Sequence, residues 1–140
     1  MLKALTKLTI LTFSLTVNAD YGRVYVDEIV SVYDGDTFRA NIRQWPDILG
    51  DNIGIRINGI DTPEIRGKCE LEKALAKEAR QITYDSLTQA ESVELRNIDR
   101  GKYFRVVADV YIDGELLIDR LSEKKLAYAY DGGTKQSWCE

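Results

Sequence analysis

Between Gly22 and Tyr33 apolar and polar residues alternate, with Val24, Val26, Val30 and Val32 on one face and Glu28 interrupting. A period of two predicts a half-buried β-strand. Asp34-Gly35 is a tight-turn dipeptide and Thr37 to Ile42 reads as the returning strand, so the two form a hairpin. Trp45-Pro46 and Gly50-Asp51 mark Gln44 to Asn52 as a surface loop. A third strand opens at Ile53, with Ile53, Ile55 and Ile57 facing one way and Gly54, Arg56 and Asn58 the other. It ends in Asp61-Thr62-Pro63-Glu64. Pro63 fixes its own φ and keeps Thr62 extended, so two carboxylates are held on a stiff corner.

The period then changes. Leu71, Ala74, Leu75, Ala79, Ile82 and Leu87 recur at helical spacing with charged residues between them, predicting a long helix from Glu70 to Thr88. Ser92 to Ile98 predicts a fourth strand and Asp99 to Lys102 a turn. Tyr103 to Ile112 predicts a fifth strand, with Phe104, Val106, Ala108, Val110 and Ile112 toward the core and Tyr103 and Arg105 on the other face. After Asp113-Gly114, Leu116 to Leu126 reads as a short amphipathic helix, and the tail reads as irregular and tied down by Cys139. This is a mainly β, α+β pattern of five strands with one long and one or two short helices. It suits a small closed or nearly closed antiparallel barrel of the oligonucleotide-binding type.

The first nineteen residues stand apart from this domain. Lys3 and Lys7, an apolar run from Leu8 to Val17, and Val17-Asn18-Ala19 have the anatomy of a secretory signal peptide cleaved after Ala19. The apolar run is short for a membrane span, which takes about 20 residues. The expected mature chain, residues 20–140, is one domain in the periplasm or outside the cell, a monomer with no membrane attachment. In such a compartment the two cysteines, Cys69 and Cys139, favour a disulfide over a pair of free thiols.

Charge and composition narrow the chemistry. The formal net charge is −4, and losing Lys3 and Lys7 makes the mature chain more acidic. A polyanionic partner must therefore be attracted by a local basic cluster or a bound cation. The chain contains no histidine, which removes Ser-His-Asp and Cys-His catalysis and leaves a carboxylate, tyrosine or lysine as general base. Polar clusters fall at Asp34 and Asp36, at Arg56 with Asp61 to Glu64, and at Lys102, Tyr103 and Arg105. Neighbouring carboxylates suit a hard divalent cation with oxygen ligands, and paired arginines suit a phosphate. With Glu64 taking a proton from water, the parts describe metal-assisted phosphodiester hydrolysis. Taken singly they have plainer readings: a hairpin turn at Asp34 to Thr37, an ion pair between Arg56 and Asp61, and tyrosines that pack.

The order Asp34-Gly35-Asp36-Thr37, then Arg56 with Asp61-Thr62-Pro63-Glu64, then Lys102-Tyr103-Phe104-Arg105 resembles the thermonuclease family, the staphylococcal-nuclease-like enzymes. The resemblance covers nearly all of Val24 to Tyr130. It implies a five-stranded oligonucleotide-binding barrel and calcium-dependent hydrolysis of DNA and RNA to 3′-phosphates, with Mg²⁺ the less favoured ion. By motif, Asp36 and Asp61 would be calcium ligands, with the backbone carbonyl of Thr62. Glu64 would be the general base, and Arg56 and Arg105 would hold the scissile phosphate. Lys102 and Tyr103 would contact substrate phosphate, and Tyr128 or Tyr130 would stack on a base. Phe104 stands where many members have glycine, and is expected to fill the core. The Arg66-Gly67-Lys68-Cys69 and Ser137-Trp138-Cys139 stretches resemble exported bacterial members that carry a cysteine pair. The rival is a non-catalytic barrel of the same fold that binds nucleic acid or protein. Such modules are expected to lose at least one of Asp36, Arg56, Asp61, Glu64 and Arg105, and all five are present.

Overall fold

A computed structural model describes residues 21–140, and the leader expected over residues 1–19 lies outside the described residues. In chain order the elements are β1 (Val24–Tyr25), β2 (Glu28–Asp34), β3 (Thr37–Asn41), α1 (Asp47–Gly50), β4 (Ile53–Ile57), β5 (Ile60–Asp61), α2 (Glu70–Gln89), β6 (Val93–Arg100), β7 (Arg105–Ile112), β8 (Glu115–Leu116), α3 (Leu117–Glu123) and β9 (Tyr128–Ala129).

The first predicted strand is broken at Val26-Asp27, and the break is where the chain changes partners. β1 pairs with β6 and β2 with β3, both antiparallel. At the switch, Val26 N donates to Val93 O and Asp27 N to Asn41 O, each at 2.9 Å. One stretch thus joins both edges of the order β1-β6-β7-β4-β3-β2, curling the sheet into a half-barrel. Val30 was expected inside but is exposed. The β2–β3 register shifts between Ile29 and Ser31, and the inserted residue is turned outward as in a bulge. An all-antiparallel barrel was also expected, yet β4 and β7 run parallel. The chain crosses between them through α2 and β6, and a crossover of that length is what lets two paired strands run in one direction.

Phe38, Ile55, Ile57, Leu95, Val110 and Ile112 fill the interior, joined by Leu117 and Leu121 of α3 and by Leu126. Burying each of these side chains contributes about 1.5–3 kcal/mol, so the core carries the stability. The face of α2 differs from expectation. Leu71 and Ala74 are exposed, Leu75 and Ile82 half-buried, and the buried face is Glu72, Ala76, Ala79, Thr83, Ser86 and Leu87. Small residues lie inside because α2 docks against the hairpin turn. A Cβ on Gly35 would stand 2.9 Å from Ala79 Cβ and 3.0 Å from Thr62 Cβ, and Thr83 Oγ1 donates to Gly35 O at 2.7 Å.

Other boundaries move for local reasons. A single helical turn, α1, follows Pro46 within the expected loop. The tail is not wholly irregular, since β9 pairs antiparallel with β5. β7 begins at Arg105, because Tyr103 and Phe104 both adopt left-handed backbone (φ 58° and 52°) as Gly101 N closes the turn on Arg105 O at 2.8 Å. Phe104 is 63 % exposed and does not fill the core. Left-handed backbone favours glycine, the residue that the family resemblance leads one to expect where Phe104 stands.

Gly35 therefore sets how closely the hairpin turn approaches α2 and the Asp61–Glu64 corner. Gly35→Ala is expected to destabilise the protein by about 1–3 kcal/mol through overpacking. An unchanged denaturant midpoint would show that the turn is not clamped there.

Candidate active site

In β4 the alternation turns Ile55 and Ile57 into the core and leaves Arg56 on the opposite face. β4 registers with β7 so that Gly54 faces Arg105 and Arg56 faces Val107. Residues two apart on a strand share a face, so Arg56 and Arg105 project from the same side of adjacent strands. Gly54 leaves the space for this, since a Cβ there would lie 3.1 Å from Arg105 Cβ.

The two arginines are held differently. Arg56 Nη1 pairs with Asp36 Oδ2 at 2.8 Å, and its Nη2 donates to Ile60 O at 3.0 Å. The plainer reading of an Arg56–Asp61 pair is thus replaced by Arg56–Asp36. Arg105 forms no ion pair among the described residues, and its Nε is buried without a hydrogen-bond partner. Its guanidinium carbon lies 5.9 Å from the Tyr103 ring centroid.

Asp36 joins the hairpin to the corner. Its Oδ1 accepts from Thr37 Oγ1 at 2.8 Å, and its Oδ2 accepts from Thr62 N at 3.1 Å. Asp34, also buried, accepts from Asp36 N at 3.3 Å. Burial first, and then the charge of Asp36, push the Asp34 carboxyl up to about 8. Thr62 is buried and its Oγ1 has no partner.

The corner itself is held from two sides. Cys69 caps α2 by accepting from Glu72 N at 3.4 Å. Buried Glu72 reaches back, its Oε2 accepting from Lys68 N at 2.7 Å and its Oε1 from Glu64 N at 3.4 Å. This fixes the backbone of Glu64 while leaving its carboxylate in the open. From the other side comes the tail. Lys135 Nζ lies 2.8 Å from Asp61 Oδ1 and 3.0 Å from Glu64 Oε1. Asp61 Oδ1 makes no aligned hydrogen bond, so this contact is electrostatic. Burial works against the Lys135 charge, but the paired carboxylates of Asp61 and Glu64 outweigh it and hold the ammonium protonated above the usual lysine range. Trp138 Nε1 donates to Asp61 Oδ2 at 3.4 Å, and its ring stacks on Tyr128 with centroids 4.0 Å apart.

These segments enclose an open cleft of about 700 Å³. Asp36, Arg56, Glu64, Lys102, Tyr103, Arg105 and Tyr130 line it. Asp61 and Thr62 lie buried beside it, and Tyr128, stacked on Trp138, does not line it. Six basic side chains line the cleft against three acidic ones, so the local charge is positive although the chain is acidic. The structure joins Cys69 to Cys139. Lys135, Arg66, Arg100, Glu72 and Trp138 were missed from the sequence. Only Glu72 had a local signature, three residues after a helix cap as in a capping box. Lys135 reaches Asp61 from far along the chain because β9 and the disulfide bring the tail back.

The donors suit a hard cation. Asp34, Asp36, Asp61 and Glu64 offer oxygen alone, and the Asp34 carboxyl is raised first by burial and then by the neighbouring Asp36 charge. The compact trio Cys69, Glu72 and Cys139 is no metal centre, because the disulfide consumes both sulfurs. A carboxyl whose folded pKa exceeds its unfolded one takes up a proton on folding. Its destabilising effect is absent in acid, grows as pH rises from about 4, and levels off above about 8. In chelator, Asp34→Asn is expected to match wild-type stability near pH 4 and to exceed it by about 1–3 kcal/mol at pH 9. Equal denaturant midpoints across that range would contradict the placement of Asp34.

Comparison with known proteins agrees with this geometry. Over 99 residues the chain is 31 % identical to the probable staphylococcal-like nuclease CAN1 of Oryza sativa subsp. japonica, an alignment covering 65 % of this chain and 27 % of that relative. The alignment thus spans about a quarter of the relative's length. Residues 54–137, which run from the strand bearing Arg56 to the tail bearing Lys135, match the staphylococcal nuclease homologue family, and the chain belongs to that family.

Proposed function

We propose that the domain is a calcium-dependent nuclease that hydrolyses phosphodiester bonds of DNA and RNA and leaves 3′-phosphates. The observation that carries this is Arg105. Among the described residues it is a cation with no acidic partner, its Nε buried and unsatisfied, in a positively charged cleft beside a second arginine. A phosphate supplies the missing acceptor, and two guanidinium groups on one face match its oxygens in paired geometry. The family is a nuclease family and its members generally depend on calcium.

Asp36 and Asp61, with the backbone carbonyl of Thr62, would hold the ion, which when bound polarises the phosphate and lowers the cost of its developing charge. The other steps belong to side chains. Arg56 and Arg105 bind the phosphate oxygens and stabilise the charge that builds on them. Glu64, whose backbone Glu72 fixes and whose carboxylate faces the cleft, takes the proton from the attacking water at an Oε atom. Lys102 and Tyr103 meet neighbouring phosphate, and Tyr130, on the cleft wall, offers a ring to a base. Tyr128 is given no such role, since its ring is engaged by Trp138.

We further propose that the chain is exported, loses residues 1–19 and acts as a monomer in the periplasm or the medium. The leader anatomy and the disulfide support this reading. Among the described residues no helix is long and apolar enough to cross a membrane.

Purified protein is expected to digest plasmid DNA and RNA with Ca²⁺, to stop in chelator, and to recover when Ca²⁺ is restored. Arg105→Ala should lower kcat by about 10²–10³-fold with the fold intact by circular dichroism. Digestion that persists in chelator, or full turnover in Arg105→Ala, would sink the mechanism.

A further inference from the structure

The tail places a lysine where it meets two residues assigned to the reaction. Tyr130 N is bonded to Gly59 O at 2.9 Å, and at the other end Cys139 is bonded to Cys69. Trp138 adds its stack on Tyr128 and its bond to Asp61. The loop between these anchors is therefore pinned at both ends across the Asp61–Glu64 corner. Lys135 sits on it, with its ammonium against Asp61 Oδ1 and Glu64 Oε1. Asp61 is 3 % exposed, so water does little to screen it.

We propose that Lys135 is a tethered counter-cation that competes with the divalent ion for Asp61, and so sets how tightly the site binds that ion. The inference rests on the calcium reading above. Oxygen ligands hold Ca²⁺ at about 2.3–2.6 Å, while Lys135 Nζ is 2.8 Å from Asp61 Oδ1. An ion on that same oxygen and an unmoved ammonium would then be at most about 5.4 Å apart. Even with the dielectric of bulk water, repulsion between a divalent and a univalent charge at that distance is worth more than about tenfold in affinity. If the lysine swings out instead, its contacts with Asp61 and Glu64 are lost, which also weakens binding. The side chain is 43 % exposed, so it has room to swing. The same charge relations give each carboxylate its own cation, Arg56 for Asp36 and Lys135 for Asp61.

The discriminating measurement is Ca²⁺ affinity by titration calorimetry on the intact chain, with nuclease activity followed separately. Lys135→Gln is expected to bind Ca²⁺ at least about tenfold more tightly than wild type, and Lys135→Arg to stay near wild type. Cys69→Ser with Cys139→Ser frees one anchor and should shift affinity the same way. Adding Lys135→Gln to that pair should then gain less than it does in wild type, since both changes act through one contact. A lysine that merely neutralises buried Asp61 would alter thermal stability and leave Ca²⁺ affinity unmoved. Unchanged or weaker affinity in Lys135→Gln, beside a wild type that binds Ca²⁺ and hydrolyses, would overturn this inference alone. If neither protein binds Ca²⁺ the calcium reading falls, and this inference with it.

Discussion

The junction at Asp36 Oδ2 organises the site. That one oxygen accepts from Thr62 N and pairs with Arg56, tying together the β2–β3 turn, the end of β4 and the corner after β5. Arg56 in turn donates to Ile60 O, so β4 and β5, on either side of the Asn58-Gly59 turn, are also linked. A carboxylate in such a place is buried at a cost unless it is satisfied, and here a backbone amide, a hydroxyl and a guanidinium satisfy it. The contact stays short because Gly35 lets the turn lie directly on α2 and Thr62. Close packing and polar compensation are one constraint seen from two sides.

What could be read from the sequence follows from which interactions are local. Strand period, turn dipeptides and the stiff Thr62-Pro63 corner depend on near neighbours, and they located β3, β4, the long helix and the Asp36, Arg56, Asp61, Glu64 set. The failures came from tertiary contacts. Val30 turned outward because a bulge in the β2–β3 pairing adds a residue that no alternation rule anticipates. The buried face of α2 is its small residues, because it docks on a turn and not only on an apolar sheet face. Phe104 looked like a core residue by alternation, but two left-handed residues reset the phase just before β7.

The tail shows the same limit more sharply. Nothing local to Lys135 or Trp138 announces a contact with Asp61. Their approach needs β9 to pair with β5 and the disulfide to close. The two cysteines were legible as a pair, but the consequence of pairing them was not. A crosslink between the cap of α2 and the tail returns a cation and an indole to the acidic corner. Here the disulfide does more than restrict the unfolded chain, since it also decides which charges face Asp61.

Arg56 and Arg105 have the same chemistry and neighbouring positions, yet they do different work. Arg56 is committed to Asp36 and Ile60 O, so it braces the corner as well as facing the cleft. Removing it would leave a buried carboxylate short of its cation, and structural damage would mix with any lost phosphate binding. Among the described residues Arg105 has no acidic partner to abandon, and Gly54 gives it room beside β4 without requiring a bond from it. Its loss leaves no buried anion uncompensated. For the phosphate clamp proposed above, Arg105 is therefore the arginine whose removal tests that role alone, whereas Arg56 also braces the corner.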